Sequence, residues 1–250
     1  MSAILVTGGT GTLGRSLVRL LTGRGAAVRV LSRRPRPAPS RRTSGTPATS
    51  GAAGASRRPW PARTRSSTAP PDAATPARPG PCWPPRGGQA DPHLVYISIV
   101  GIDRIGVGYY RSKLETERLI AGSGLPWTVL RATQFHDLIA RGCAALARLP
   151  VLPVPAATSF QPVDAGEVAA RLAELAAEAP AGRVPDMAGP QVRTAADLAG
   201  SYLRTNGRHR RVQPVWLPGR AAAALRRGDN LAPGRACGRV TFEEFLGGHR

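Results

Sequence analysis

Residues 3–34 read AILVTGGTGTLGRSLVRLLTGRGAAVRVLSRR. Ala3 to Thr7 is a short aliphatic run, the pattern of a strand buried on both faces of a parallel sheet. Gly8-Gly9-Thr10-Gly11-Thr12-Leu13-Gly14 follows, after which Leu13, Leu17, Leu20 and Leu21 recur at helical spacing until Gly23 and Gly25 end the helix. Ala27 to Ser32 reads as a second strand.

That order gives a glycine fingerprint its meaning, since a bare match is cheap in a chain with 29 glycines. Gly8 and Gly11 permit a tight turn and close backbone approach to a pyrophosphate seated on the helix N-terminus, where unpaired N–H groups point outward. Gly14 lets the helix pack on the strand. The stretch Thr7-Gly8-Gly9-Thr10-Gly11-Thr12-Leu13-Gly14 is therefore a candidate dinucleotide loop. A site preferring NAD carries an acidic residue after the second strand, whereas this chain has Ser32-Arg33-Arg34. Guanidinium forks suit a 2′-phosphate, so NADP(H) is expected over NAD(H).

From Pro35 to Pro92 there is no Leu, Ile, Val, Met, Phe or Tyr, and 14 of the chain's 25 prolines fall there. Such a tract cannot supply buried strands and has the composition of disorder. Its length is nevertheless about that of two further strands with their helices. A stretch read in a shifted frame reconciles length with composition; a natural disordered insertion is the alternative.

The whole chain has 250 residues, 42% of them hydrophobic, enough for one α/β domain. The net charge of +20 comes almost wholly from scattered arginines without aromatic interleaving. It reads as compositional bias, and no specific nucleic-acid partner is expected. Cys82, Cys143 and Cys237 lie far apart, and the four histidines stand alone, so neither a disulfide framework nor a metal site is expected. With no signal-like N-terminus and no apolar run near the ~20 residues of a bilayer span, a cytoplasmic protein is expected.

Ordinary patterning resumes at His93. Leu94 to Val100 reads as a strand, with Ser98 near its carboxyl end, where open α/β sheets place ligand-contacting groups. Tyr109-Tyr110-Arg111-Ser112-Lys113 then opens a helix running to about Ala121, with Tyr109 and Lys113 on one face. A nearby ammonium favours the phenolate and brings a phenol of pKa ~10 toward the working range. Lys113 is the chain's single lysine, kept where arginine replaced it everywhere else. Tyr110 is the rival phenol, at a less suitable spacing. Trp127 to Ala132 reads as a further strand entering a loop, Thr133-Gln134-Phe135-His136-Asp137. His136 and Asp137 could relay protons, but a structural His136 is the favoured reading. Asp164-Ala165-Gly166-Glu167 has the form of a capping box before a helix to Ala177, and Thr194 with Asp197 starts another through Tyr202.

Residues 4–34 with Gly8, Gly11 and Gly14, then VYISIVGID, YYRSKLETE and LPWTVLRATQFHDL, resemble the NmrA-like, NAD(P)H-binding group of atypical short-chain dehydrogenases/reductases. The resemblance covers residues 1–34 and 93–250, and Val240 to Leu246 is similar to the family's closing segment. It implies a Rossmann-like, doubly wound parallel sheet. Residues 1–34 and 93–150 would form the dinucleotide-binding core, and 151–250 a small C-terminal substrate region. It further implies that Thr7 to Gly14 bind pyrophosphate, Arg33 the 2′-phosphate, and Thr133 the cofactor from the loop near the nicotinamide. Ser98 would orient the substrate carbonyl, Tyr109 donate the proton and Lys113 hold the nicotinamide ribose. The expected activity is hydride transfer between NADPH and a small carbonyl or quinone-like molecule. A non-catalytic redox sensor, an accessory protein like those of NADH dehydrogenase, and a cofactor-defective copy are the alternatives. Neither the substrate nor the oligomeric state follows from the sequence.

Overall fold

The structure is a computed structural model describing residues 3–31 and 92–248. Readings that rest on Ser32, Arg33, Arg34 and residues 35–91 lie outside the described residues. The described residues belong to one compact unit.

The N-terminal expectation of strand, turn, helix and strand is met by β1 (Ala3–Thr7), α1 (Thr12–Gly23) and β2 (Ala27–Leu31). β1 and β2 pair in parallel, from Ala3 opposite Ala27 to Thr7 opposite Leu31. Ile4 and Val6 pack with Val18 and Leu21 of α1, whereas Leu5, on the opposite face, is 61% exposed. The sequence reading of a strand buried on both faces is thus corrected. Alternation puts Leu5 away from α1, and that side stays open.

β3 (Leu94–Ile99) and β4 (Trp127–Ala132) are also parallel, extended by the short β7 (Gly182–Arg183) beside β4. Parallel strands need a crossover, supplied between β3 and β4 by α2 (Gly108–Ala121). Val95, Ile97, Leu130 and Ala132 pack against Val168, Leu172 and Leu175 of α4 (Ala165–Ala177), joined by Leu13 and Leu17 of α1. Tyr96, Ser98 and Arg131 occupy the other face, toward α2. Helices thus cover both faces of a parallel sheet, the doubly wound arrangement. Its parallel ladders stand as two pieces, β1–β2 and β3–β4–β7, and α1 on the first and α4 on the second pack against each other.

Beyond β4 come α3 (His136–Leu146), β5 (Val151–Pro155), β6 (Ser159–Phe160), β8 (Arg193–Thr194), α5 (Ala195–Thr205), β9 (Arg211–Val215), α6 (Arg220–Arg226) and α7 (Phe242–Gly247). β5 pairs in parallel with β9, and β6 antiparallel with β8. Leu152, Leu198, Tyr202, Phe242, Phe245 and Leu246 form a second core here. Asp164 caps α4 by accepting from Gly166 N–H at 2.8 Å and Glu167 N–H at 3.1 Å. Glu167 does not close the expected box, because its carboxylate accepts from the Arg239 N–H at 2.8 Å. A complete capping box stands instead at Thr241 and Glu244 before α7. His136 and Asp137, read as loop, form the first turn of α3, since Phe135 already takes the N-cap position. Among the described residues no helix is long and apolar enough to cross a membrane.

Candidate active site

Three strand ends, those of β1, β3 and β4, carry the candidate residues. At β1 the chain turns at Gly8, whose φ of +69° suits glycine, and Gly11 N–H donates to Gly8 C=O at 2.9 Å. Gly14 lies in the first turn of α1, where a Cβ would collide with Gly8 O and stand 2.6 Å from Gly9 Cα. Only glycine lets α1 descend this far onto the loop. Gly11 caps α1 without a side chain, and no acidic residue occupies the first turn. The first N–H groups of α1, which have no partner within the helix, and the positive end of its dipole are left for an anion. Arg141 of α3, which sequence reasoning passed over, reaches this place and donates to Thr12 Oγ1 at 3.0 Å. Backbone glycine turn, close-packed helix and unneutralised helix end together fit a dinucleotide pyrophosphate.

At the end of β3, Ser98 is 2% exposed and its Oγ has no hydrogen-bond partner of ordinary geometry. Its register partner on β4 is Arg131, a guanidinium buried beneath α2. Arg131 donates to both oxygens of Glu117, at 2.9 and 2.7 Å, and to Asp103 at 3.2 Å. Burial alone would raise the Glu117 carboxyl, but hydrogen bonds from Arg131, the Ser98 hydroxyl close by but outside hydrogen-bond geometry, and the Arg131 charge hold it below the usual range. The fork fixes α2 on the sheet. Arginine in the middle of an apolar strand was the available sequence signal, because a buried guanidinium requires a carboxylate.

Lys113, one turn before Glu117, donates to Ile97 C=O at 2.8 Å and lies 4.5 Å from the centre of the Tyr96 ring. Burial lowers its pKa, with Glu117 opposing. Lys113 thus reaches the carbonyl of the residue that precedes Ser98 on β3. Tyr109 does not join them in the same way: it is 65% exposed, with its ring 6.3 Å from that of Tyr110. Tyr110 is the phenol turned inward. Burial raises its pKa, offset in part by the Gln134 carboxamide beside it.

At the end of β4, Thr133 is buried and its hydroxyl donates to Gln161 C=O at 2.5 Å. His136 is 1% exposed, with Nε2 3.0 Å from Val240 O and ring centroids 5.7 and 5.2 Å from Phe242 and Phe245. It ties α3 to α7, the structural role favoured from sequence. Cys143 is buried and its thiol is pushed up to about 11, so it is no nucleophile; Cys237 is exposed, and both are free.

The model of the NAD dependent epimerase/dehydratase family matches residues 4–55, which include the glycine loop. Among solved structures, an NADPH-dependent quinone oxidoreductase from Escherichia coli superposes with a TM-score of 0.61 at 14% identity, covering 99% of each chain. The chain has the fold of the atypical short-chain dehydrogenases/reductases. The same Escherichia coli protein complexed with NADPH gives a TM-score of 0.61 at 15% identity, again over 99% of each chain. A nucleoside-diphosphate-sugar epimerase from Staphylococcus aureus gives 0.58 at 15% identity, over 98% of this chain and 99% of that chain. No curated protein matches the sequence.

Proposed function

We propose that this chain is an NADP(H)-dependent oxidoreductase of the NmrA-like kind, reducing a small carbonyl or quinone-like molecule. The carrying observation is the phosphate loop, where Gly14 closes α1 onto Gly8 and leaves the helix N-terminus without a carboxylate. The family match over residues 4–55 and the likeness in fold to an NADPH-dependent quinone oxidoreductase support it. The preference for NADP(H) rests on Arg33 and Arg34 and on Ser32 in place of an acidic residue.

When bound, the reduced nicotinamide supplies the hydride. Thr7 to Gly14 hold the pyrophosphate, and Thr133 belongs to the segment beside the nicotinamide. Ser98 Oγ, without a partner at the strand end, hydrogen-bonds the carbonyl oxygen as charge develops there. Lys113 keeps positive charge near that oxygen and at the ribose, its ammonium steadied by the Ile97 carbonyl and the Tyr96 ring. Tyr109 delivers the proton from the exposed side of α2. Replacing Tyr109 by Phe is expected to lower kcat by ~10²- to 10⁴-fold while leaving NADPH affinity within about twofold. Full activity in that variant removes Tyr109 from the mechanism.

A second reading has an observation of its own. Tyr109 is exposed and Lys113 is already committed to Ile97, an arrangement that also suits a protein that binds the dinucleotide without turning it over. NADPH binding with no consumption across a panel of aldehydes, ketones and quinones would favour that sensor.

A further inference from the structure

Between β4 and α3 the backbone of Gln134 is clamped: Val163 N–H donates to its C=O at 2.9 Å, while neighbouring Thr133 N–H donates to Met187 C=O at 3.0 Å. The side chain is only 7% exposed, and neither Nε2 nor Oε1 has a hydrogen-bond partner. An amide buried this way is costly unless it finds a partner, so its place in the fold calls for an explanation. Its neighbour is the inward phenol of Tyr110 in the first turn of α2, close by but outside hydrogen-bond geometry. On the adjacent strand, Ser98 Oγ is another of the buried side-chain atoms without a hydrogen-bond partner, alongside single atoms of His136, Glu167 and Asn230 elsewhere among the described residues. Two orphaned groups at the carboxyl ends of neighbouring parallel strands stand where open α/β sheets receive ligands.

We infer that Gln134 binds a second oxygen function of the substrate, so that the acceptor is a dicarbonyl or quinone and not a simple ketone. This rests on the hydride-transfer reading above. Ser98 takes the reacting oxygen, and Gln134 takes the other. A carboxamide is suited to that task because it both donates and accepts: Nε2–H serves a carbonyl oxygen, and for a quinone Oε1 serves the hydroxyl formed when the reduced hydroxydienone enolises, its sp3 carbon giving up a proton to solvent and the far oxygen taking one from solvent. In the dicarbonyl case the electron balance is simple. The reacting carbonyl carbon gains hydride from the reduced nicotinamide, which is oxidised; the C=O π pair moves to oxygen, which takes a proton to become C–OH. The second carbonyl stays intact on Gln134. Tyr110 acts as a positioning residue that confines the carboxamide.

The test compares two bicyclic probes of similar size, isatin with adjacent carbonyls and 1-indanone with one. Binding is followed by calorimetry with NADP⁺ present, and kcat/KM with NADPH. The wild type is expected to favour isatin by roughly 10- to 100-fold, the range expected when a buried polar group is left unpaired by the poorer ligand. Gln134→Leu should erase that preference while leaving NADPH affinity and 1-indanone turnover within about threefold. Gln134→Asn, which keeps the amide but shortens its reach, should retain part of it, and Tyr110→Phe should reduce it less than Gln134→Leu does. An unchanged preference in Gln134→Leu, equal handling of both probes by the wild type, or binding of neither probe by a wild type that binds NADPH overturns the assignment of Gln134 alone. A wild type that does not bind NADPH overturns the oxidoreductase reading and this inference with it. Where Gln134→Leu fails to fold, as judged by circular dichroism, Gln134→Asn and Tyr110→Phe decide.

Discussion

Gly14→Ala is the perturbation whose outcome the structure specifies most fully. The added Cβ would overlap Gly8 O and approach Gly9 Cα to 2.6 Å, and both obstacles are backbone atoms that cannot rotate away. Overpacking of this kind costs ~1–3 kcal/mol. Against it stands the gain from replacing glycine by alanine within a helix, about 1 kcal/mol. The net is a loss of up to ~2 kcal/mol, equivalent to roughly 4–8 °C in Tm for a domain of this size. The larger consequence is local, because α1 must lift off the loop and its N–H groups leave the pyrophosphate position. NADPH affinity should therefore fall by more than the stability loss suggests, at least 10-fold by isothermal calorimetry. Gly23→Ala is the internal control: it lies in the same helix, a Cβ there meets nothing within 4 Å, and the variant should melt at or slightly above the wild-type temperature with unchanged affinity. If Gly14→Ala binds and melts like the wild type, α1 does not approach the loop as closely as Gly14 requires.

Other expectations follow from the buried charges and the second core. Glu117→Gln should destabilise the fold by about 3–5 kcal/mol in chemical denaturation, because the Arg131 guanidinium stays buried with its bidentate partner lost and only the more distant carboxylates of Asp103 and Asp186 to balance it. The folded-state pKa of Glu117 is depressed, so its contribution is present above the unfolded value of ~4.3 and is lost as pH falls through the folded value. Melting curves at pH 7 and pH 3.5 should then show a smaller acid loss for Glu117→Gln than for the wild type. Burial lowers the pKa of His136, so the unfolded chain binds a proton first as pH drops from ~6.5 toward the folded value, and stability declines over that window. His136→Phe should flatten this decline in melts between pH 7.5 and 5; an undiminished slope assigns it to other groups. Translating the gene in its two other frames across residues 35–92 should reveal a Val-, Leu- and Asp-rich segment, and the absence of one in both frames refutes the shifted-frame reading.

The N-terminal unit was legible because its signals are local: a short aliphatic run, glycines at fixed offsets and a leucine stripe each act within one turn or one strand. The place of Ser98 near the carboxyl end of β3 was equally readable, since a short apolar run sets the bounds of its own strand. The fork of Arg131 on Glu117 was not, as 14 positions separate the partners and only the β3–α2–β4 crossover brings them together. Glu167 shows the opposite failure, where a correct local pattern lost to a tertiary competitor, the Arg239 N–H. The spacing of Tyr109 and Lys113 gave a shared helix face but not its orientation. That is set by Lys113 and Glu117 locking α2 to the sheet, which leaves Tyr109 exposed and turns Tyr110 toward Gln134.

The central claim, that this chain holds NADP(H) on the Gly8–Gly14 loop, is tested most directly by calorimetric titration of the full-length protein with NADPH and with NADH. Saturable binding of both, tighter for NADPH, is the predicted result. Absence of heat and of any shift in Tm with either dinucleotide at millimolar concentration would contradict it.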